Sequence, residues 1–183
     1  MKKIIAVILF ILCGGCFGET KKFIISSPEI AHKGRIQSAQ VFSGFGCTGK
    51  NQSPSLTWKN PPEGTKSFAL FAYDPDAPTG SGWWHWVVYN LPVKVRLLPM
   101  DAGREDGSLL PFGAVHGKTD FSTLGYGGPC PPEGDKPHRY IFTLYALKIE
   151  KLPLPPYSTP AMIGFTVNQN TIAMTSFLGY YSR

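Results

Sequence analysis

Charged side chains are scarce in this 183-residue sequence, at 16%, and they form no long run of one sign. The longest basic runs are the pairs Lys2-Lys3 and Lys21-Lys22, so the formal net charge of +6 is scattered along the chain. A dedicated nucleic-acid surface is therefore not expected. Sustained helical periodicity is also missing, because 20 Gly and 17 Pro interrupt the chain, and this argues against a protein of long helices.

Apolar residues, by contrast, are abundant. Hydrophobic residues make up 43% of the sequence and aromatic residues 13%. Disordered chains lack the apolar side chains that a core requires, so this composition excludes intrinsic disorder. At this length we expect one compact domain.

The longest apolar run lies near the N-terminus and is short for a membrane span. Lys2 and Lys3 precede nine apolar residues, 4–12, and a stretch of small or polar residues follows. This order of basic, apolar and cleavage regions predicts a secretory signal peptide over residues 1–18. Nine residues of helix cover roughly 14 Å, about half of a hydrocarbon core of about 30 Å, so export with cleavage is favoured over a permanent span.

A second cleavage route remains open at this point. Gly15-Cys16 could be a lipoprotein site at which the signal ends before Cys16 and Cys16 is acylated, and only this route would attach the protein to a membrane. On either route, residues 19–183 form a single domain that is exported, periplasmic or secreted.

Export leaves two cysteines in the mature domain, Cys47 and Cys130, because Cys13 and Cys16 are removed or acylated. Two thiols in an oxidising compartment are most simply interpreted as one disulfide, which would close a loop of about 80 residues and stabilise the fold by several kcal/mol. The alternative is two separate buried thiols.

The mature sequence has the pattern of strands joined by turns. Short apolar runs alternate with Gly, Pro, Asn and Asp. The clearest predicted strands are 67–73, 84–90 and 139–147, and the weaker ones are 23–26, 56–58, 93–97 and 174–181. Strand 67–73 is apolar on both faces, which predicts a place in the middle of a covered sheet.

One helix and one long loop complete this interpretation. Residues 159–172 are predicted to be helical, with Ser158 or Thr159 as the cap and Pro160 in the first turn. The segment 101–137 is rich in Gly and Pro and has little periodicity. Loops of this length are usually functional or mobile.

Three segments at the ends of the predicted strands concentrate the residues that could carry chemistry. They are 73–78 (Tyr-Asp-Pro-Asp-Ala-Pro), 82–86 (Gly-Trp-Trp-His-Trp) and 127–140, which contains Gly-Gly-Pro-Cys-Pro-Pro and His-Arg-Tyr. If the strands are neighbours, these segments meet at one rim of the sheet.

A carboxylate beside an imidazole fixes its tautomer and raises its pKa, so such a cluster can present donors to an anion. A single His or Trp of this kind would more often be a structural residue, and it is the clustering that favours a site.

These motifs resemble the phosphatidylethanolamine-binding protein family, also called Raf kinase inhibitor-like proteins. The sequence of residues 73–88 is similar to the bacterial branch, and the likeness covers residues 23–183. The resemblance implies a mainly β fold in which a large antiparallel sheet packs against a smaller sheet, with a few peripheral helices. Eukaryotic members carry an additional C-terminal helix that helps to close the pocket, whereas this sequence ends soon after the predicted strand 174–181.

The resemblance also implies a small rim pocket that binds phosphate, phosphoryl headgroups or other small anions. Carried over position by position, the pocket residues are Asp74, Asp76, Pro78, His85, Pro131, Pro132, His138 and Tyr140, with Trp83 as an aromatic wall.

The expected function is therefore non-enzymatic anion binding, with inhibition or modulation of a protein partner, such as a protease or a kinase-like protein, as an extension. The alternative is an esterase or phosphatase, because paired carboxylates and His can perform general acid-base catalysis. Thr79 and Ser81 lie near His85, yet neither stands in a nucleophile-elbow pattern. No metal or cofactor is expected, since the Asp and His spacing matches no compact zinc motif.

The cysteine assignment can be tested by intact mass. Reduction of the exported protein should add the mass of one hydrogen per sulfur of Cys47 and Cys130, because a disulfide becomes two thiols. An unchanged mass in protein isolated from an oxidising compartment would contradict the disulfide.

Overall fold

The computed structural model describes residues 21–155 and 157–183. The signal or lipoprotein segment, with Cys13 and Cys16, lies outside the described residues, as do the first two residues of the expected mature domain. In the described part of the chain, no helix is long and apolar enough to cross a membrane.

The described residues form eleven strands and one α-helix. Their bounds in chain order are β1 Ile24–Ser26, β2 Gly34–Arg35, β3 Ser43–Gly44, β4 Cys47–Thr48, β5 Leu56–Lys59, β6 Ser67–Asp74, β7 Trp83–Pro92, β8 Leu97–Leu98, β9 Val115–His116, β10 His138–Leu147, α1 Pro160–Asn170 and β11 Thr171–Tyr181.

The main sheet has six strands in the order β2-β11-β10-β6-β7-β9. Its strands pair antiparallel, except that the short β2 runs parallel to β11. A smaller sheet has the order β1-β5-β8, and β3 and β4 form a separate hairpin. The three clearest predicted strands are confirmed as β6, β7 and β10, and they are neighbours, as the single-rim hypothesis required.

The inner face of the main sheet packs against the smaller sheet. Phe68 and Leu70 of β6 share a core with Leu56 and Trp58 of β5, and all four side chains are essentially inaccessible to solvent. Because side chains alternate along a strand, these β6 residues all lie on one face. This large apolar contact is the main source of stability for the two-sheet arrangement.

The outer face of β6 packs against the helix. Ala69 and Phe71 lie in a second cluster with Ile163 and Val167 of α1. The helix starts where the sequence predicts, since Thr159 Oγ1 accepts a hydrogen bond from the backbone N–H of Met162 and the next residue is proline. Strand β6 is thus covered on both faces, which confirms its predicted central position.

Two predicted boundaries are wrong. The chain turns after Pro92, where the N–H of Val95 bonds to the Pro92 carbonyl, so the predicted strand 93–97 is a turn followed by β8. The helix ends at Asn170, and Ile172 belongs to β11, whose first residue pairs with Leu147. The β-branched residues at 171 and 172 favour the strand. Their pairing with β10 decides the boundary, and this long-range pairing could not be predicted from the local sequence.

The central strand provides a test of the core. Leu70→Ala should lower the free energy of unfolding by about 2 to 5 kcal/mol, because it leaves a cavity between the two sheets. Urea unfolding would measure this, and Leu97→Ala is the matched control, since Leu97 is half exposed and its loss should cost less than about 1 kcal/mol. Equal losses for the two variants would contradict the assignment of the core.

Candidate functional site

A cavity of about 220 Å³ lies at the rim of the main sheet, where β6 ends and β7 and β10 begin. Eight of the nine predicted binding residues line it: Asp74, Pro78, Trp83, His85, Pro131, Pro132, His138 and Tyr140. Sequence reasoning did not assign the other lining residues to the site, and these are Phe45, Ala77, Thr79, Phe121 and Cys130.

A β-bulge aims His85 into the cavity. Trp84 pairs with Tyr73 and Trp86 pairs with Ala72, so β7 contains one extra residue at this point, His85. A bulge of this kind redirects a side chain and is frequent beside functional sites. As a result, the His85 ring lies 5.1 Å from the ring of Tyr140, edge to face, while Trp84 packs on the helix side of the sheet.

The hydrogen bond of His85 fixes its tautomer. Its Nδ1 lies 2.7 Å from the Gly127 carbonyl oxygen. A carbonyl can only accept, so Nδ1 carries the proton and donates it. Burial lowers the pKa of His85 to about 4, and the bond to Gly127 and the charge of Asp74 oppose this only in part. The Asp74 carboxylate raises the pKa of this ring, as expected, but desolvation dominates and the net shift is downward.

His138 is oriented by a buried carboxylate. Its Nδ1 lies 2.8 Å from Oδ2 of Asp74, and both side chains are almost fully buried. The other oxygen of Asp74 accepts the backbone N–H of Asp76 at 2.8 Å. On its outer side, Nε2 of His138 lies 3.4 Å from the carboxylate of Asp135. The predicted pairing of an aspartate with an imidazole is thus present at Asp74 and His138.

Tyr140 lines the cavity, and its hydroxyl is buried. The side chain is 2% exposed, and its oxygen has no hydrogen-bond partner within the described structure. Burial raises the pKa of Tyr140 most, and the charge of the neighbouring Asp74 carboxylate and its contact with the hydroxyl raise it further, so the phenol stays protonated. A buried hydroxyl without a well-formed hydrogen bond is costly, and a ligand oxygen that reached it would compete with Asp74 for its proton.

Asp76 is the predicted site residue that the structure does not bring into the cavity. Its carboxylate forms a two-point ion pair with the Arg139 guanidinium, at 2.7 and 2.8 Å, and accepts the Arg139 backbone N–H at 2.9 Å. It therefore joins the end of β6 to the start of β10 and orients no imidazole. No feature of the sequence pattern favoured Arg139 over a histidine as the partner of Asp76.

The similarity of this sequence to known proteins shows which family the chain belongs to. A sequence profile described as phosphatidylethanolamine-binding protein matches residues 26–182. The chain belongs to the phosphatidylethanolamine-binding protein family. It is 55% identical over 163 residues to the UPF0098 protein YbcL of Escherichia coli, covering 89% of each sequence. It is 45% identical over 157 residues to the UPF0098 protein YbhB of the same organism, covering 85% of this chain and 98% of YbhB.

Structural similarity supports the same assignment. The crystal structure of E. coli YbcL, described as a new member of the mammalian PEBP family, matches with a TM-score of 0.87 at 54% identity, covering 89% of this chain and 99% of that one. The resemblance inferred from the sequence motifs is confirmed, and so is the mainly β fold of the phosphatidylethanolamine-binding protein family.

A disulfide fixes the outer wall of the cavity in this family member. Cys47 and Cys130 are bonded across 83 residues, so the predicted bridge is confirmed over the alternative of two thiols. It links the β3–β4 hairpin to the loop that carries Pro131 and Pro132. Arg183 strengthens the same wall, because its Nε donates to the Pro131 carbonyl at 2.6 Å.

Phe121 is a wall residue that sequence reasoning missed. Its ring lies 5.3 Å from that of His85 and 5.4 Å from that of Trp83, both edge to face. It comes from the irregular segment 101–137, where neither periodicity nor a recognised motif predicts which side chains face inward. The motif residues could be identified from the sequence, whereas the loop residue that packs against them could not.

The remaining histidines lie outside the cavity. His116 is buried on β9, where its Nδ1 lies 3.4 Å from Nε1 of Trp86, and His32 is exposed. Within residues 21–155 and 157–183, no group of three or more His, Cys, Asp or Glu side chains is arranged to hold a metal ion.

The Asp76 ion pair predicts a pH dependence of stability. The hydrogen bond from Arg139 lowers the pKa of Asp76 from 3.8 to about 2. Its stabilisation is therefore complete well above pH 3.8 and is lost as the pH falls through about 2. Asp76→Asn should unfold at lower urea than the wild type at neutral pH, and the difference should shrink towards about pH 2.

Glu133→Gln is the matched control for this measurement, because Glu133 is exposed and forms no ion pair in the described part of the chain. It should lack the pH-dependent difference. A constant gap between Asp76→Asn and the wild type over the acid range would contradict the role assigned to the ion pair.

Proposed function

We propose that the cavity binds a small phosphoryl anion, either free phosphate or a phosphoryl headgroup, without transforming it. The observation that carries the proposal is the pair of polar groups among the cavity residues: within the described part of the chain, the buried Tyr140 hydroxyl makes no well-formed hydrogen bond, and a hydrogen bond of the His85 ring is found only at Nδ1. Buried polar groups are normally satisfied, so groups left without a partner beside a cavity favour a polar ligand.

The size and the walls of the cavity support a small ligand. Its volume of about 220 Å³ is below the range of about 300 to 1,000 Å³ that is typical of sites for drug-sized molecules. Pro78, Pro131 and Pro132 are rigid, and Phe121 and Trp83 are apolar. Such walls lower the local polarity and so strengthen the few polar contacts that a bound anion makes.

The arrangement favours binding over hydrolysis. The Thr79 hydroxyl, which lies at the cavity, donates its hydrogen bond to the Gly82 carbonyl and not to His85. A nucleophile in a hydrolase is activated by an adjacent base, and this contact does not provide one. We therefore keep the esterase or phosphatase as an outcome to be tested and not as a second proposal.

The proposal also includes export of the mature domain and a modulating action on a protein partner. A disulfide is typical of exported proteins, and this supports export of the mature domain. A modulating action on a protein partner would use the rim of the cavity, where Phe45 is 69% exposed at the tip of the disulfide-linked hairpin. Phosphoryl occupancy would then alter the surface that the partner meets.

Removal of the Tyr140 hydroxyl separates binding from folding. Tyr140→Phe should keep or raise the melting temperature, since an unsatisfied buried hydroxyl is lost, but it should weaken phosphate binding by about 1.5 to 3 kcal/mol. His85→Ala should weaken binding by a similar amount. Calorimetry with inorganic phosphate measures both effects.

Tyr145→Phe is the matched control, because Tyr145 packs against the helix-side cluster and away from the cavity. It should bind phosphate like the wild type. Equal binding by the wild type, Tyr140→Phe and His85→Ala would refute the site. Phosphatase or esterase turnover that disappears in His85→Ala would replace the binding proposal with a hydrolase.

A further inference from the structure

We infer that the Cys47–Cys130 disulfide is a redox latch on the wall of the cavity. Its reduction by a dithiol releases the tip of the β3–β4 hairpin, residues 44–47, and moves the Phe45 ring out of the wall. The inference concerns the regulation of the cavity and does not depend on which ligand the cavity binds. It follows from the positions of the disulfide, the hairpin tip and a second cavity.

The second cavity, of about 610 Å³, lies beside the cavity at the rim of the main sheet. Phe45 and Phe121 line both cavities, so these two rings belong to a shared wall. Their stacked rings have centroids 6.0 Å apart, and the Phe42 ring packs against both, at 5.4 Å from Phe45 and 4.6 Å from Phe121. Displacement of the Phe45 ring would therefore open the wall between the two cavities.

The backbone of Phe45 is held in a conformation that phenylalanine rarely adopts. Its φ is +53°, in the left-handed region, and the glycines on either side also have positive φ. Such a conformation persists only where the surrounding structure enforces it. The ring does not enforce it, because it is 69% exposed and buries little apolar surface.

The disulfide is the covalent constraint on the hairpin tip. Strands β3 and β4 pair at two positions, the inner one between Gly44 and Cys47, and a hairpin this short has little stability of its own. Sγ of Cys130 lies 3.6 Å from the carbonyl oxygens of both Gly44 and Phe45, so the bridge packs directly against the tip. Without the bridge, the backbone of Phe45 can relax to negative φ and carry the ring away from the wall.

The base of the hairpin is held independently of the bridge. The backbone N–H of Phe42 donates to the Pro129 carbonyl at 3.0 Å, and that of Gly49 donates to the Phe42 carbonyl at 2.9 Å. On the other side of the bridge, Arg183 holds the Pro131 carbonyl. Reduction therefore frees the hairpin tip and leaves the base of the hairpin and the proline-containing loop in place.

The reductant attacks the disulfide at Cys130. This residue is partly exposed and lines the cavity, whereas Cys47 is only 9% exposed. A thiolate of the dithiol bonds to Sγ of Cys130, and the sulfur of Cys47 leaves and takes up a proton. The second thiol of the reductant then attacks its own partner sulfur and releases Cys130 as a thiol. In balance, two electrons and two protons pass from the dithiol to the two cysteines, and the dithiol becomes a disulfide.

Fluorine NMR on the mature protein tests the release of the ring, with 4-fluorophenylalanine incorporated at position 45 alone. In the oxidised protein the resonance should differ from that of an unfolded peptide, because the ring packs on Phe42 and Phe121. After reduction with dithiothreitol it should lose most of this difference. The same label at position 112 is the matched control, since Phe112 is fully exposed and its resonance should not respond to reduction.

A double variant separates the latch from the reductant. Without dithiothreitol, Cys47→Ser/Cys130→Ser should already show the reduced-state resonance at position 45, and dithiothreitol should not change it. Reoxidation of the wild type should restore the original resonance. An unmoved resonance at position 45 in the reduced wild type would overturn the inference. Loss of the far-ultraviolet circular dichroism of the strands on reduction would also overturn it, because the bridge would then hold the whole domain. If the double variant does not fold, reduction and reoxidation of the wild type decide.

Discussion

Burial of strand β6 on both faces is the constraint on which the rest of the structure depends. A strand with Phe68 and Leu70 on one face and Phe71 on the other must be covered twice. The smaller sheet provides one cover and α1 the other, and β7 and β10 satisfy the backbone hydrogen bonds along its two edges. The cavity then lies where this buried strand ends, so Asp74, His85 and His138 stand on hydrogen-bonded strands of the main sheet.

The two cavity histidines show how a single environment produces two different chemical groups. His138 is held by a carboxylate, whereas His85 is held by a peptide carbonyl, and both are removed from water. A carbonyl or carboxylate acceptor at Nδ1 fixes the tautomer of each ring, so Nε2 is the nitrogen left for other contacts. In His138 that nitrogen approaches Asp135, whereas in His85 no hydrogen bond to it is found within the described residues.

Sequence reasoning predicted the mainly β fold and most of the motif residues that line the cavity, because these depend on local pattern. The aromatic and β-branched runs identified β6, β7 and β10, and the Asp-Pro-Asp-Ala-Pro and Trp-Trp-His-Trp motifs identified Asp74 and His85. The carbonyl partner of His85, the cover supplied by Phe121 and the pairing of Asp76 with Arg139 could not be predicted, because each depends on contacts between segments that are distant in sequence. The sign of the His85 pKa shift was missed for the same reason, since burial is a property of the assembled fold.

The walls of the cavity join parts of the chain that are far apart, since the partners of the Asp74–His138 bond are separated by 64 positions in the sequence and those of the disulfide by 83. The part of the cavity formed by Asp74, His85 and His138 exists only when the central strands are assembled. Ligand binding is therefore linked to global folding and not to the ordering of a single loop. In consequence, an occupied site would protect the slowest-exchanging amides of the sheet, and occupancy would extend the lifetime of the whole domain against proteases that act on its unfolded state.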